Sequence, residues 1–120
     1  MDYPRTFSKN ERICGKTSVS AVVSAGRWGT TDHLKYCFLV PGKAENSRIL
    51  VSVPKKFFKR AVKRNLLKRR LREAYRTQKS LLGTVVADIM FIYNSGDIAD
   101  YEVIRAEVSA ALCAVAKSGL

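Results

Sequence analysis

Acidic side chains are scarce in this chain of 120 residues: ten Asp and Glu stand against 22 Lys and Arg, for a net charge of +12. That imbalance excludes a self-neutralised surface and points to a polyanionic partner, of which nucleic acid is the commonest. Cysteine is almost missing. Cys14, Cys37 and Cys113 are odd in number, widely spaced and form no C-x-x-C pair. This argues against a disulfide framework or a zinc site and fits a reducing compartment, so all three read as inert fillers. Histidine occurs once, at position 33 beside Asp32, and no set of Asp, Glu and His falls at ligand or general-base spacing. Asp97 and Asp100 read as turn and cap residues. Long apolar stretches are lacking too. A run such as Ile89 to Tyr93 is far too short to cross a bilayer, and the N-terminus has no apolar stretch behind a basic start, as a secretory signal requires. The expectation is a cytoplasmic protein with no membrane contact.

What is present suffices for one domain spanning residues 1–120. Apolar residues make up 47% of the chain, an ordinary globular proportion. Ser8 to Glu11 reads as a capping box, and Lys16 to Ala25 as a helical stretch ending at Gly26. His33 to Val40 alternates as a strand does, with Leu34, Tyr36, Phe38 and Val40 on one side. Pro41-Gly42 turns the chain, and Arg48 to Val53 is a second strand, expected to pair with the first as a hairpin. The pattern leaves room for a short extra strand near Arg27 to Gly29. A helix follows Pro54, from about Ala61 to Gln78. Val85 to Tyr93, nearly all apolar, reads as a strand buried on both faces or central. Asp100 opens a last helix, with Tyr101, Ile104, Val108, Leu112 and Val115 at helical spacing. This order predicts a small sheet with helices on one side.

Half of the positive charge lies between Lys55 and Arg76, where eleven Lys and Arg accompany one acid, Glu73. On a helix Arg64, Lys68, Arg72 and Arg76 follow at i+4 as one ridge, with Asn65 and Arg69 on the next, while Leu67, Leu71 and Ala74 share an apolar face beside Tyr75. Like charges at i,i+4 each cost roughly 0.2–0.5 kcal/mol in an isolated helix. One acid cannot neutralise so many bases, so a solvated charged face is a poor account and an RNA or DNA partner a better one. Arg suits such a partner, because its planar fork matches a phosphate with two parallel hydrogen bonds and stacks on bases. Asn65 adds a side chain that donates and accepts, suited to a base edge or a 2′-hydroxyl.

The segment AVKRNLLKRRLREAYR, Ala61 to Arg76, closely resembles the protein subunit of bacterial ribonuclease P, in Ala61-Val62, Arg64-Asn65, Lys68-Arg69 and Arg72-Glu73. The preceding VSVPKK, Val51 to Lys56, looks like that family's strand ending in Ser-Lys-Lys, and Lys9 to Arg12, Gly26, Asp88 and the final helix fall in the family's order. The resemblance implies an α+β fold: a two-layer α/β sandwich, a small mixed sheet with helices and a left-handed βαβ crossover (ribosomal protein S5 domain 2-like). Three positions depart from the family's pattern. Leu66 stands where a second Arg is common, with Arg70 beside it as the candidate replacement. One extra residue separates Lys56 from Ala61. Val23 stands where the first helix often presents an aromatic.

The resemblance also implies a function. Ribonuclease P hydrolyses one phosphodiester to remove the 5′ leader of precursor tRNA. Its RNA subunit is the catalyst, using Mg²⁺ held mainly by RNA and substrate. The protein binds that RNA and the leader, and is expected to be monomeric apart from the holoenzyme. Arg64, Asn65, Lys68, Arg69, Arg72 and Arg76 are assigned to the catalytic RNA, with Lys55, Lys56 and Lys59 near the helix start. Tyr36, Phe38 and Val23 are candidates for the leader. Base stacking on the two rings and simple core packing both fit their pattern. No residue of the chain is assigned to catalysis or to a metal. The rival is a structural RNA-binding module, ribosomal-protein-like, without a role in cleavage. A DNA-binding helix-turn-helix would need a short helix where Arg48 to Pro54 reads as a strand.

Overall fold

The computed structural model describes residues 23–24, 26–40 and 47–118. The elements are β1 (Arg27–Thr30), β2 (Leu34–Leu39), β3 (Arg48–Ser52), α1 (Ala61–Gln78), a 3-10 turn (Lys79–Leu82), β4 (Asp88–Tyr93) and α2 (Tyr101–Ser118). The capping box at Ser8, the Pro41-Gly42 turn and most of the first helical stretch lie outside the described residues; Val23 and Ser24 are helical.

Alternation along the strands sets the two faces of the sheet. Leu34, Tyr36 and Phe38 of β2 lie opposite Tyr93, Phe91 and Ile89 of β4, and Ile49 and Val51 of β3 lie opposite Ile89 and Phe91. All join one core with Leu67, Leu71, Ala74 and Tyr75 of α1 and Ile104, Val108, Ala111, Leu112 and Val115 of α2. Both helices therefore cover the same face, giving two layers. Burying each Leu or Ile here contributes roughly 1.5–3 kcal/mol. The opposite face holds a second, smaller cluster of Cys37 and Met90, flanked by Leu39, Leu50 and Ile92. Residues of β4 are thus buried in both clusters, which is why its sequence is continuously apolar.

The expected hairpin of β2 with β3 does not form. The sheet order is β1-β2-β4-β3: β4 inserts between them, antiparallel to β2 and parallel to β3. A hairpin would have left the most apolar strand at an edge, with one side of its backbone unpaired. The central place satisfies both ladders, and α1 supplies the long connection that a parallel pair requires. The short strand near Arg27 does form, pairing with β2.

Polar ties fix where β4 begins, at Asp88 rather than Val85. The Ala87 N–H donates to the Ser47 hydroxyl (3.0 Å), and Arg48 clasps the fully buried Asp88 carboxylate through Nε (3.0 Å) and a terminal nitrogen (2.8 Å). At the far end of α1, the Gln78 amide donates to the carbonyls of Ala74 (3.1 Å) and Arg105 (3.0 Å), tying the two helices together. Gly83, at φ 62°, turns the chain out of the 3-10 segment in a conformation that costs glycine little.

Candidate nucleic-acid interface

The apolar stripe of α1 decides which cations face outward. With Leu67, Leu71, Ala74 and Tyr75 against the core, the exposed positions are Ala61, Val62, Lys63, Asn65 and Arg69. The outward ridge is therefore the Asn65–Arg69 one. The ridge of Arg64, Lys68, Arg72 and Arg76 lies on the flank, half-buried. Lys55, Lys56, Lys59 and Arg60 are exposed on the turn that leads into the helix. The first turn of α1 contains no acidic residue, and the N-cap Arg60 supplies no side-chain hydrogen bond, so the positive end of the helix dipole adds to these cations unopposed from within its own turn.

Several of the predicted cations have partners within the fold. The Arg64 guanidinium donates to the carbonyls of Phe58 and Lys59, each at 2.8 Å, and so braces the turn before the helix. Arg70, the candidate replacement for the missing second Arg, donates to the Ala99 carbonyl at 2.6 Å and secures the loop ahead of α2. Arg76 is paired with Glu73, through Nε at 3.0 Å and through a terminal nitrogen. This contact holds the Glu73 carboxyl below the usual carboxylate range. Lys56 lies 4.9 Å over the Phe57 ring.

The predicted leader residues separate. Tyr36 and Phe38 are 8% and 6% exposed and belong to the helix-side core, so packing, not stacking on a base, describes them. The Tyr36 ring also covers Gly29, where a Cβ would overlap it. Val23 is exposed, at 42%. The register explains the separation. Trp28 pairs with Cys37 and Thr30 with Lys35, so Trp28 and Lys35 lie on the face away from the helices. Trp28 is 44% exposed and the Lys35 ammonium sits 4.9 Å over its ring, a cation–π contact. Sequence reasoning passed over this pair. The sequence signal was the chain's single Trp next to Arg27; that it faces away from Tyr36 follows from the register, which pairs Gly29 with Tyr36.

Behind this hairpin, Glu107 of α2 accepts hydrogen bonds from the Thr31 hydroxyl, the His33 N–H (2.7 Å) and the His33 ring Nδ1 (2.7 Å). Burial pushes the Glu107 carboxyl up, but the bonds from Thr31 and His33 outweigh it and hold it below its ordinary value. The His33 ring stacks on Tyr93 at 6.3 Å between centroids, and Tyr93 meets Phe58 at a tilt of 39° with centroids 5.9 Å apart. Among the described residues no group of three or more His, Cys, Asp or Glu is placed to hold a metal ion, and no helix is long and apolar enough to cross a membrane. Cys37 is buried, and burial raises its thiol. Cys113 is exposed on α2 and does not fill the core.

Among the described residues, a mixed four-stranded sheet is backed by two long helices, one of them the strongly basic crossover helix, and this arrangement defines a class of small α+β proteins that includes solved ribonuclease P proteins. The Staphylococcus aureus protein superposes with a TM-score of 0.75 at 22% identity, covering 92% of this chain and 98% of that one. The Thermotoga maritima protein gives 0.75 at 23% identity, covering 87% and 96%. The family model for ribonuclease P matches residues 7–115. A ribonuclease P protein component from Porphyromonas gingivalis is 35% identical over 97% of this chain and 92% of its own length, and one from Citrifermentans bemidjiense is 42% identical over 66% and 68%. The chain belongs to the ribonuclease P protein family. It is a protein component of that tRNA-processing ribonucleoprotein.

Proposed function

We propose that the outward face of α1 binds the catalytic RNA of ribonuclease P, and that the sheet face away from the helices holds the 5′ leader of precursor tRNA. Asn65 and Arg69 are the centre of the first surface, with Lys63, Lys68 and Arg72 around them and Lys55, Lys56 and Lys59 at its edge. Arg64 both braces the turn and adds field. Trp28 is the stacking platform of the second surface, Lys35 its phosphate partner, and Val23 a further candidate contact. Base–aromatic stacking contributes roughly 1–3 kcal/mol per base. Cleavage of the phosphodiester belongs to the RNA subunit, with Mg²⁺ supplied by RNA and substrate; the protein holds the two RNAs together, and its positive field strengthens metal and substrate binding. The observation that carries this reading is the exposed pair of Asn65 and Arg69, one able to donate and accept and the other cationic, on a helix whose opposite side is core.

The test is reconstitution. The bare RNA subunit at low Mg²⁺ should cleave precursor tRNA slowly, and adding this protein should accelerate it, with the leader-bearing substrate bound more tightly than mature tRNA. RNA binding without any gain in cleavage would instead support a purely structural RNA-binding module.

A further inference from the structure

Among the described residues, β1 is an edge strand of four residues, exposed along most of its length, with a ladder to β2 alone. Such a strand is held loosely unless something else secures it. Its connection to β2, residues 31–33, is closed from within by the Thr31 N–H donating to the Leu34 carbonyl (2.8 Å) and the Leu34 N–H donating to the Thr31 hydroxyl (3.2 Å). The same connection is secured to the body of the protein from two sides. The Asn94 N–H, just past β4, donates to the His33 carbonyl at 2.8 Å. Glu107, in the second turn of α2, takes the three hydrogen bonds from Thr31 and His33 described above, with only 11% of its side chain exposed. A single carboxylate thus gathers the side chain of the residue after β1 and both the backbone N–H and the ring Nδ1 of the residue before β2. Trp28 and Lys35 flank this turn.

We propose that Glu107 is a positioning residue for the RNA leader: it fixes the β1–β2 hairpin against α2 so that the Trp28–Lys35 pair is presented in one orientation. The inference rests on the reading of Trp28 as the leader platform. Glu107 touches no RNA in this account and acts through Thr31 and His33. Plain electrostatics predicts the opposite sign. Glu107 is an anion near a polyanion's binding face, so removing its charge should on Coulombic grounds tighten RNA binding. If it positions the hairpin, removing the charge weakens leader binding, because the charge-assisted bonds to His33 and Thr31 lose about half their strength.

The experiment uses the chain's only tryptophan, Trp28, as reporter in the reconstituted holoenzyme. Precursor tRNA with a short single-stranded leader and mature tRNA are the two probes. In the wild type, leader-bearing RNA should quench Trp28 emission and mature tRNA should not. In Glu107→Gln, affinity for the leader-bearing probe should fall roughly three- to ten-fold and the quench should shrink, while affinity for the RNA subunit and for mature tRNA holds. Thr31→Val, which at nearly constant volume deletes one of the three donors together with the acceptor of the Leu34 N–H, should change both readings in the same direction, and decides the matter if Glu107→Gln does not fold. A wild-type quench and affinity retained in both variants, or tighter leader binding in Glu107→Gln, overturns the positioning role and leaves the platform intact. Absence of any leader-dependent change in wild-type emission removes the platform, and the proposal with it.

Discussion

Arg64 and Arg69 sit five positions apart on one helix and have different roles. Arg69 is exposed, so Arg69→Ala should weaken binding of the RNA subunit and leave the melting temperature nearly unchanged. Arg64 donates to the Phe58 and Lys59 carbonyls, so Arg64→Ala should weaken RNA binding and also cost about 1 kcal/mol of stability, read by chemical denaturation. Spacing alone made the two equivalent, because it reports the angle of a side chain and not which carbonyls lie within its reach. Gly29→Ala should be costlier than its size suggests. The new methyl would overlap the buried Tyr36 ring, and moving that ring should cost about 1–3 kcal/mol. Glu107 gives a pH signature. Its carboxyl titrates lower in the folded state than in the unfolded chain, so its contribution is fully present above the unfolded value, about pH 4, and is lost as pH falls through the folded value below that. The melting-temperature gap between wild type and Glu107→Gln should therefore be fully open above about pH 4 and close as the pH falls below that.

At the scale of elements, the pattern was read most accurately where one face was apolar and the other charged. The bounds of α1 follow from its 3.6-residue stripe, and α2 from Ile104, Val108, Leu112 and Val115. Pairing between strands was not legible. Alternation places Tyr36 and Phe38 on one side of β2, but nothing local says that β4 will lie next to it, nor which side the helices will cover. Those are choices made by burial of the whole sheet, and they sent Tyr36 inward and Trp28 outward. Helix α1 carries its own prediction. With roughly six phosphate contacts, the low end of a 6–10 range because Arg70 and Arg76 are engaged within the fold, affinity for the RNA subunit should fall about 10³-fold between 50 and 200 mM monovalent salt. A flat titration by filter binding would remove the electrostatic basis of the interface.

At the scale of the whole molecule, charge and core are divided by position in the chain. The stretch from Lys55 to Arg76 carries half the Lys and Arg, and the chain from Lys79 onward is mildly acidic. This places the cationic helix inside the crossover between two neighbouring parallel strands, β3 and β4. During synthesis, β2 and β3 have no shared neighbour until residues 88–93 leave the ribosome, because β4 is the strand that both of them border. Until that strand arrives, β3 lacks the neighbour it pairs with in the finished sheet, and the cationic helix that follows it lacks its finished setting. The helix's apolar side is withdrawn from solvent only when α2, which follows β4 and packs along α1, docks as well, so maturation of this subunit should be gated by the joint arrival of β4 and α2.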